Sequence, residues 1–111
     1  APEWTPANDG PVYELRQYTF RGGMLPEIMK TWESAIPERV KFSPLALLGN
    51  IDLGPSTNSF IHLWPFTSME HRAEIRAQAA ATGKWPPRVA GESYVAQSNK
   101  LLVPAAFSPA Q

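Results

Sequence analysis

The segment Phe60-Ile61-His62-Leu63-Trp64-Pro65-Phe66 alternates like a strand and runs without a spacer into Thr67-Ser68-Met69-Glu70, a helix-start signal. A strand delivered straight into a helix commits the chain to packing helices on a sheet. It also puts His62 between large aromatics on one sheet face, because alternate residues of a strand share a face.

The flanking sequence supplies the other elements. Val12 to Phe20 is rich in strand formers and alternates, with Tyr13, Leu15 and Gln17 on one face and Glu14, Arg16, Tyr18 and Phe20 on the other. After the breaker Arg21-Gly22-Gly23, the apolar residues Leu25, Ile28, Met29, Trp32, Ala35 and Ile36 recur at helical spacing; Pro26 fits a first turn, and Pro37 is expected to kink or end the helix. A second strand is predicted over Leu45 to Leu53, followed by a turn at Gly54-Pro55-Ser56. The third strand is the opening segment. Thr67 is the expected N-cap, with Glu70 completing a capping box, and an alanine-rich helix runs to Thr82-Gly83. Trp85-Pro86-Pro87 begins a loop, and Ser93 to Val103 is the last strand, its alternation too blurred to assign faces. Residues 1–11, with Pro2, Pro6, Gly10 and Pro11, are predicted to form an extended arm anchored by Trp4, leaving 12–111 as a single domain. Strand, helix, strand, strand, helix, strand is the order of a ferredoxin-like α+β sandwich.

Composition narrows the function classes. With 111 residues there is room for one domain, and 10 basic against 10 acidic residues leave no electrostatic footprint for nucleic acid or an anionic membrane. The absence of cysteine removes disulfides, thiolate metal sites and cysteine nucleophiles. No apolar run has the length of a membrane span, and the first residues lack the order of a signal peptide, so a soluble, cytoplasmic protein is expected.

In the predicted fold both helices cover one sheet face. The aliphatic side, with Leu15, Leu47, Ile51, Ile61 and Leu63, is expected under the helices. The aromatic side, with Glu14, Arg16, Tyr18, Phe20, Leu48, Asn50, Phe60, His62, Trp64 and Phe66, is then too apolar to face water. The expected cover is a second copy, two sheets packing face to face as a dimeric α+β barrel. Strands one and three are neighbours in this topology, which makes Glu14, Arg16 and His62 candidates for one polar network.

These residues resemble the NIPSNAP family. The matching pieces are Tyr13-Glu14-Leu15-Arg16 with Tyr18, Gly49, His62-Leu63-Trp64, Arg72, Asn99 through Pro104, and Phe107-Ser108-Pro109, together covering nearly the whole chain. The resemblance implies the dimeric α+β-barrel fold rather than a chemistry. The wider superfamily includes cofactor-independent monooxygenases, haem-degrading oxygenases and isomerases, and some NIPSNAP members are described as mitochondrial or as partners in vesicle and organelle-quality pathways. Trp85-Pro86-Pro87 departs from the more helical stretch usual in the family.

The candidate catalytic residues are His62, a general acid or base near neutral pH, and Arg16, whose planar fork suits a carboxylate or enolate. Glu14, Tyr18, Trp64 and Asn99 are the candidate ligand-binding residues. The plainer use of each is structural: His62 tying strands or subunits together, Arg16 bridging to Glu14, Tyr18 and Trp64 as interface core, Asn99 as a strand partner. His71 is a weak candidate haem ligand. With two histidines and no acidic cluster at ligand spacing, neither a metal nor a cofactor is expected. Two functions follow: binding of a small apolar or aromatic molecule, with cofactor-independent oxygenase or isomerase chemistry as its enzymatic form, or a non-enzymatic interaction or scaffold module.

Overall fold

The computed structural model describes residues 8–51, 58–87 and 94–111. The elements are β1 (Val12–Phe20), α1 (Leu25–Arg39), β2 (Leu47–Asn50), β3 (Ser59–Phe66), α2 (Met69–Ala81) and β4 (Tyr94–Leu102). The sheet order is β2-β3-β1-β4, and every neighbouring pair is antiparallel. This is the ferredoxin-like α+β sandwich expected from the element order. The Trp4 anchor and the Gly54-Pro55-Ser56 turn lie outside the described residues.

Register sets the site. Glu14 lies opposite Trp64, Arg16 opposite His62 and Tyr18 opposite Phe60, while Arg16 also faces Asn99 of β4. Pro65 sits within a central strand because its nitrogen points to the side where β2 has already ended; the last β2 partner is Leu47, opposite Leu63.

The two sheet faces are the reverse of the sequence expectation. The aromatic face is the one under the helices: Tyr18, Phe20 and Phe60 pack with Ile28 and Trp32 of α1, and Trp64 and Phe66 pack with Ile75 of α2. The reason is volume. α2 buries only Ile75 and Ala79, so the sheet has to supply the bulk that fills the gap between layers. Phe20, Phe60, Tyr18 and His62 form a stacked ladder with centroid spacings of 5.2, 5.3 and 5.4 Å, and Trp32 meets Phe60 and His62 edge-on at 5.1 and 5.2 Å. The aliphatic face is open in the single chain. Leu15, Ile61 and Leu63 are half-buried there, and Leu47 and Leu102 are each 40% exposed.

Smaller departures have local causes. α1 runs through Pro37 for two further residues, because the proline falls in the last turn and Val40 N–H still bonds the Ile36 carbonyl. The second helix is capped one residue later than expected. Extended Ser68 accepts from His71 N–H at 3.0 Å, and His71 Nδ1 accepts from Thr67 N–H at 3.0 Å, so the histidine takes the reaching-back role assigned to Glu70. β2 is shorter than predicted, although Ala46 and Ile51 still donate to Leu63 and Ser59 carbonyls on either side of it. Gly10 allows a close approach: its N–H bonds the Gln111 carbonyl at 2.8 Å, and a Cβ there would meet Tyr13 Cε2 at 2.6 Å.

Candidate functional site

The helix side of the sheet closes over a cavity of 120 Å³ lined by Glu14, Arg16, Tyr18, Arg39, His62, Trp64, Phe66, Arg76, Ala80, Trp85 and Pro86. A second pocket of 170 Å³ shares Arg16 and Arg76 and extends to β4, adding Arg72, Gln97, Ser98 and Asn99. Five of the six residues singled out in the sequence line the first cavity, and Asn99 lines the second.

Glu14 is the centre of the polar network. It is 2% exposed on β1, and Arg72 grips it with a two-point fork, Nη2 to Oε2 at 2.8 Å and Nε to Oε1 at 3.3 Å. Arg16 and Asn99 donate to the same Oε2 at 3.2 and 3.0 Å, and Arg76 stands 3.7 Å from Oε1. Burial alone would raise the Glu14 pKa, but the hydrogen bonds from Arg72 and Asn99 and the charges of Arg16 and Arg72 outweigh it and hold the carboxyl down to about 2.

Arg16 is oriented by its neighbours as well. Its Nε and Nη2 donate to the Tyr18 hydroxyl at 3.1 and 3.0 Å, while Nη1 holds Glu14. His62, 1% exposed, accepts a hydrogen bond on Nδ1 from the Trp64 indole N–H. Burial, reinforced by the charges of Arg16 and Arg39 and partly offset by Glu14, pushes its pKa down to about 3. The imidazole is therefore neutral at physiological pH, and since Nδ1 accepts, the ring proton sits on Nε2.

Arg39 is the residue that sequence reading missed. In the last turn of a helix an arginine normally serves the carbonyl ends from the solvent side. Here it is 4% exposed: its guanidinium carbon lies 4.2 Å from the Trp64 ring centroid and 5.9 Å from that of Trp85, and Nη1 donates to Ser43 Oγ at 2.7 Å. Burial and the nearby Arg76 lower its pKa to about 10, with Glu14 opposing at a distance, so it stays charged at neutral pH. Among the described residues no carboxylate lies within ion-pair distance of it. The spacing of Arg72 and Arg76, four residues apart on one face of α2, points to the anion Glu14 they share and carries no signal for Arg39.

His71, the candidate haem ligand, is held at the start of α2 by the Thr67 bond, and among the described residues no group of three His, Asp or Glu could hold a metal ion. No helix of the described residues is long and apolar enough to cross a membrane.

A family model described as NIPSNAP matches residues 13–109, the span that carries both pockets. The chain belongs to the NIPSNAP family. Human protein NipSnap homolog 3B is 30% identical over 77 residues, which cover 69% of this chain and 31% of the human protein. The NipSnap homolog of Dictyostelium discoideum is 33% identical over 84 residues, covering 76% of this chain and 37% of that one. The chain thus spans roughly a third of the length of these curated relatives. A crystal structure of a NIPSNAP family protein with unknown function from Agrobacterium tumefaciens superposes with a TM-score of 0.81 at 28% identity, over 96% of this chain and 98% of that chain. The heme-degrader MhuD of Mycobacterium tuberculosis, solved with two hemes bound in its active site, shares the fold at a TM-score of 0.62 and 15% identity, over 88% of this chain and 98% of that one.

Proposed function

We propose that this NIPSNAP chain binds a small organic acid with a flat apolar body between its sheet and its helices. The observation that carries the proposal is Arg39: a buried guanidinium with no carboxylate in contact among the described residues, in a cavity where Arg16 and Arg76 already share the single acid Glu14. Ser43 and the Trp64 ring satisfy part of the guanidinium, but a buried charge without a counter-charge is still costly, and a bound anion would offset that cost. Trp64, Trp85 and Tyr18 offer flat walls for a ring. An engineered protein cavity of roughly 150 Å³ holds benzene, so at 120 Å³ this cavity takes a short chain outright, and a ring with its acid group by extending into the neighbouring 170 Å³ pocket that shares Arg16 and Arg76.

Binding is favoured over acid–base catalysis by the chain's own groups. His62 is neutral down to about pH 3 and Glu14 is a carboxylate down to about pH 2, so neither exchanges a proton near neutrality. An oxygenase or isomerase built here would draw on the reactivity of the bound acid itself, with Arg16 and Arg39 stabilising its anionic form.

The test is quenching of the tryptophan fluorescence by benzoate-type acids against their uncharged amides. Acids are expected to bind at least tenfold more tightly, and Arg39→Gln to erase the difference while the protein still folds. Equal binding of acid and amide would sink the proposal.

Assembly belongs to the same proposal. The open face, with Leu15, Ile61, Leu63, Leu47 and Leu102, supports a homodimer joined through the sheets. Leu63→Glu would place a charge at the centre of that face and is expected to yield a monomer in light scattering with its fluorescence titration intact. A wild-type protein that is monomeric at tens of micromolar would refute the dimer.

A further inference from the structure

The pocket beside the aromatic cavity has a different character. Arg72 and Arg76 on α2, Arg16 on β1, and Gln97, Ser98 and Asn99 on β4 enclose its 170 Å³, and among the described residues that line it none is apolar. Glu14, the carboxylate that the three arginines share, lines the aromatic cavity and not this pocket. Three guanidiniums set against one carboxylate leave a local surplus of two positive charges, in a chain whose 10 basic and 10 acidic residues balance. Among the described residues no other carboxylate lies within ion-pair distance of any of the three.

These charges are both positioned and reachable. Arg16 is held by the Tyr18 hydroxyl and Glu14, and Arg72 by its fork on Glu14, so two of the guanidiniums are set before an ion arrives and lose little freedom on binding it. The side chains of Arg16, Arg72 and Arg76 are 22, 19 and 48% exposed, and Gln97 and Asn99 are exposed on the edge strand, so an ion entering from solvent meets all five.

We infer that this second pocket is a subsite for a phosphate group, free or as a monoester. A carboxylate would cancel only one of the two surplus charges. A phosphate monoester carries about −1.5 to −2 at neutral pH and offers three strong acceptor oxygens, which suit the guanidinium forks of Arg72 and Arg76 and the side-chain amides of Gln97 and Asn99. Polar walls fit such a headgroup and offer nothing to a ring. The inference goes beyond the acid-binding proposal, because it concerns a site that Arg39 does not line. The two spaces meet at Arg16 and Arg76, so the organic part of an ester has a way into the aromatic cavity.

The experiment is an NMR titration of the intact protein at pH 7.5 that follows the arginine Nε–H resonances and compares methyl phosphate with methyl sulfate. The two ions have the same shape and differ by one charge. Methyl phosphate is expected to bind roughly tenfold more tightly and to move the Arg72 and Arg76 signals, the gain of a stronger charge-assisted hydrogen bond. Gln97→Glu, at an exposed position that lines this pocket and not the cavity, puts a fixed carboxylate among the arginines and should weaken methyl phosphate at least tenfold. Arg76→Gln should weaken it as well, while Arg39→Gln should leave it unchanged. Equal binding of the two ions, phosphate binding that survives Gln97→Glu, or no binding at all overturns the inference. Benzoate titrated into the same samples reads the acid-binding proposal separately: benzoate without methyl phosphate leaves only that proposal standing, and methyl phosphate without benzoate leaves only the subsite. Benzyl phosphate against inorganic phosphate then names the source, since a tighter benzyl ester supports an organic monoester reaching into the cavity and equal binding supports the free ion.

Discussion

Glu14→Gln should destabilise the protein by about 3–5 kcal/mol and, at the same time, tighten its hold on an added anion. The carboxylate is buried and is gripped by Arg72 through a fork, by Arg16 and Asn99 at Oε2, and by Arg76 at longer range. Glutamine has the same shape, but it replaces an acceptor pair by one acceptor and one donor. The new amide N–H₂ then faces guanidinium donors, and the positive charges of Arg16, Arg72 and Arg76 lose their shared counter-charge. Removing one member of a buried ion cluster is among the few substitutions that cost this much. The second effect has the opposite sign: the variant's arginines become available to an external acid that Glu14 no longer outcompetes. Urea unfolding gives the first quantity, and fluorescence titration with an aromatic acid gives the second. A variant as stable as the parent would show that the network is solvated, and unchanged acid affinity would show that the ligand does not meet these arginines.

The elements were readable because their signals are local. β1 runs from Val12 to Phe20 in both the sequence reading and the structure, since an alternating segment rich in strand formers ends at Arg21 and a glycine pair. The neighbourhood of Glu14, Arg16 and His62 was readable in part, because the βαββαβ order makes β1 and β3 neighbours, but the register that sets Arg16 opposite His62 comes from the structure. The choice of face was not. Alternation separates two sets of residues but does not say which set the helices cover when both are apolar, and the deciding quantity is the volume that α2, with only Ile75 and Ala79 buried, leaves to be filled. β4 had no clear alternation for a physical reason. It is an edge strand whose described side chains are exposed, so neither face is held to a pattern, and its pairing with β1 shifts register between Thr19 and Phe20. Arg39 was hidden because its inward turn depends on Trp64 and Trp85, which come from elements distant in sequence.

Acid should weaken this protein's stability over two overlapping pH ranges, and their order follows from the two buried groups. His62 has its folded pKa depressed to about 3 from an ordinary 6.5, so between those values the unfolded chain binds a proton that the folded one refuses. Stability attributable to His62 is therefore complete above pH 6.5 and is lost as the pH falls toward 3, at up to about 1.4 kcal/mol per pH unit. Glu14 is likewise depressed, to about 2 from 4.5, so its contribution is complete above pH 4.5 and fades as the pH falls toward 2. Below pH 4.5 both act together, and the slope should approach about 2.7 kcal/mol per pH unit. By pH 4.5 the His62 share alone amounts to about 3 kcal/mol, a large part of the roughly 5–15 kcal/mol that holds a typical domain together. Urea midpoints measured at intervals from pH 7.5 to 3 test this directly. The expected record falls from just below pH 6.5 and steepens below 4.5, with Glu14→Gln losing the steeper part and keeping the shallower one. A stability that stays level from pH 7 to 5 would mean that His62 takes up its proton in the folded state, adding a positive charge beside Arg16 and Arg39.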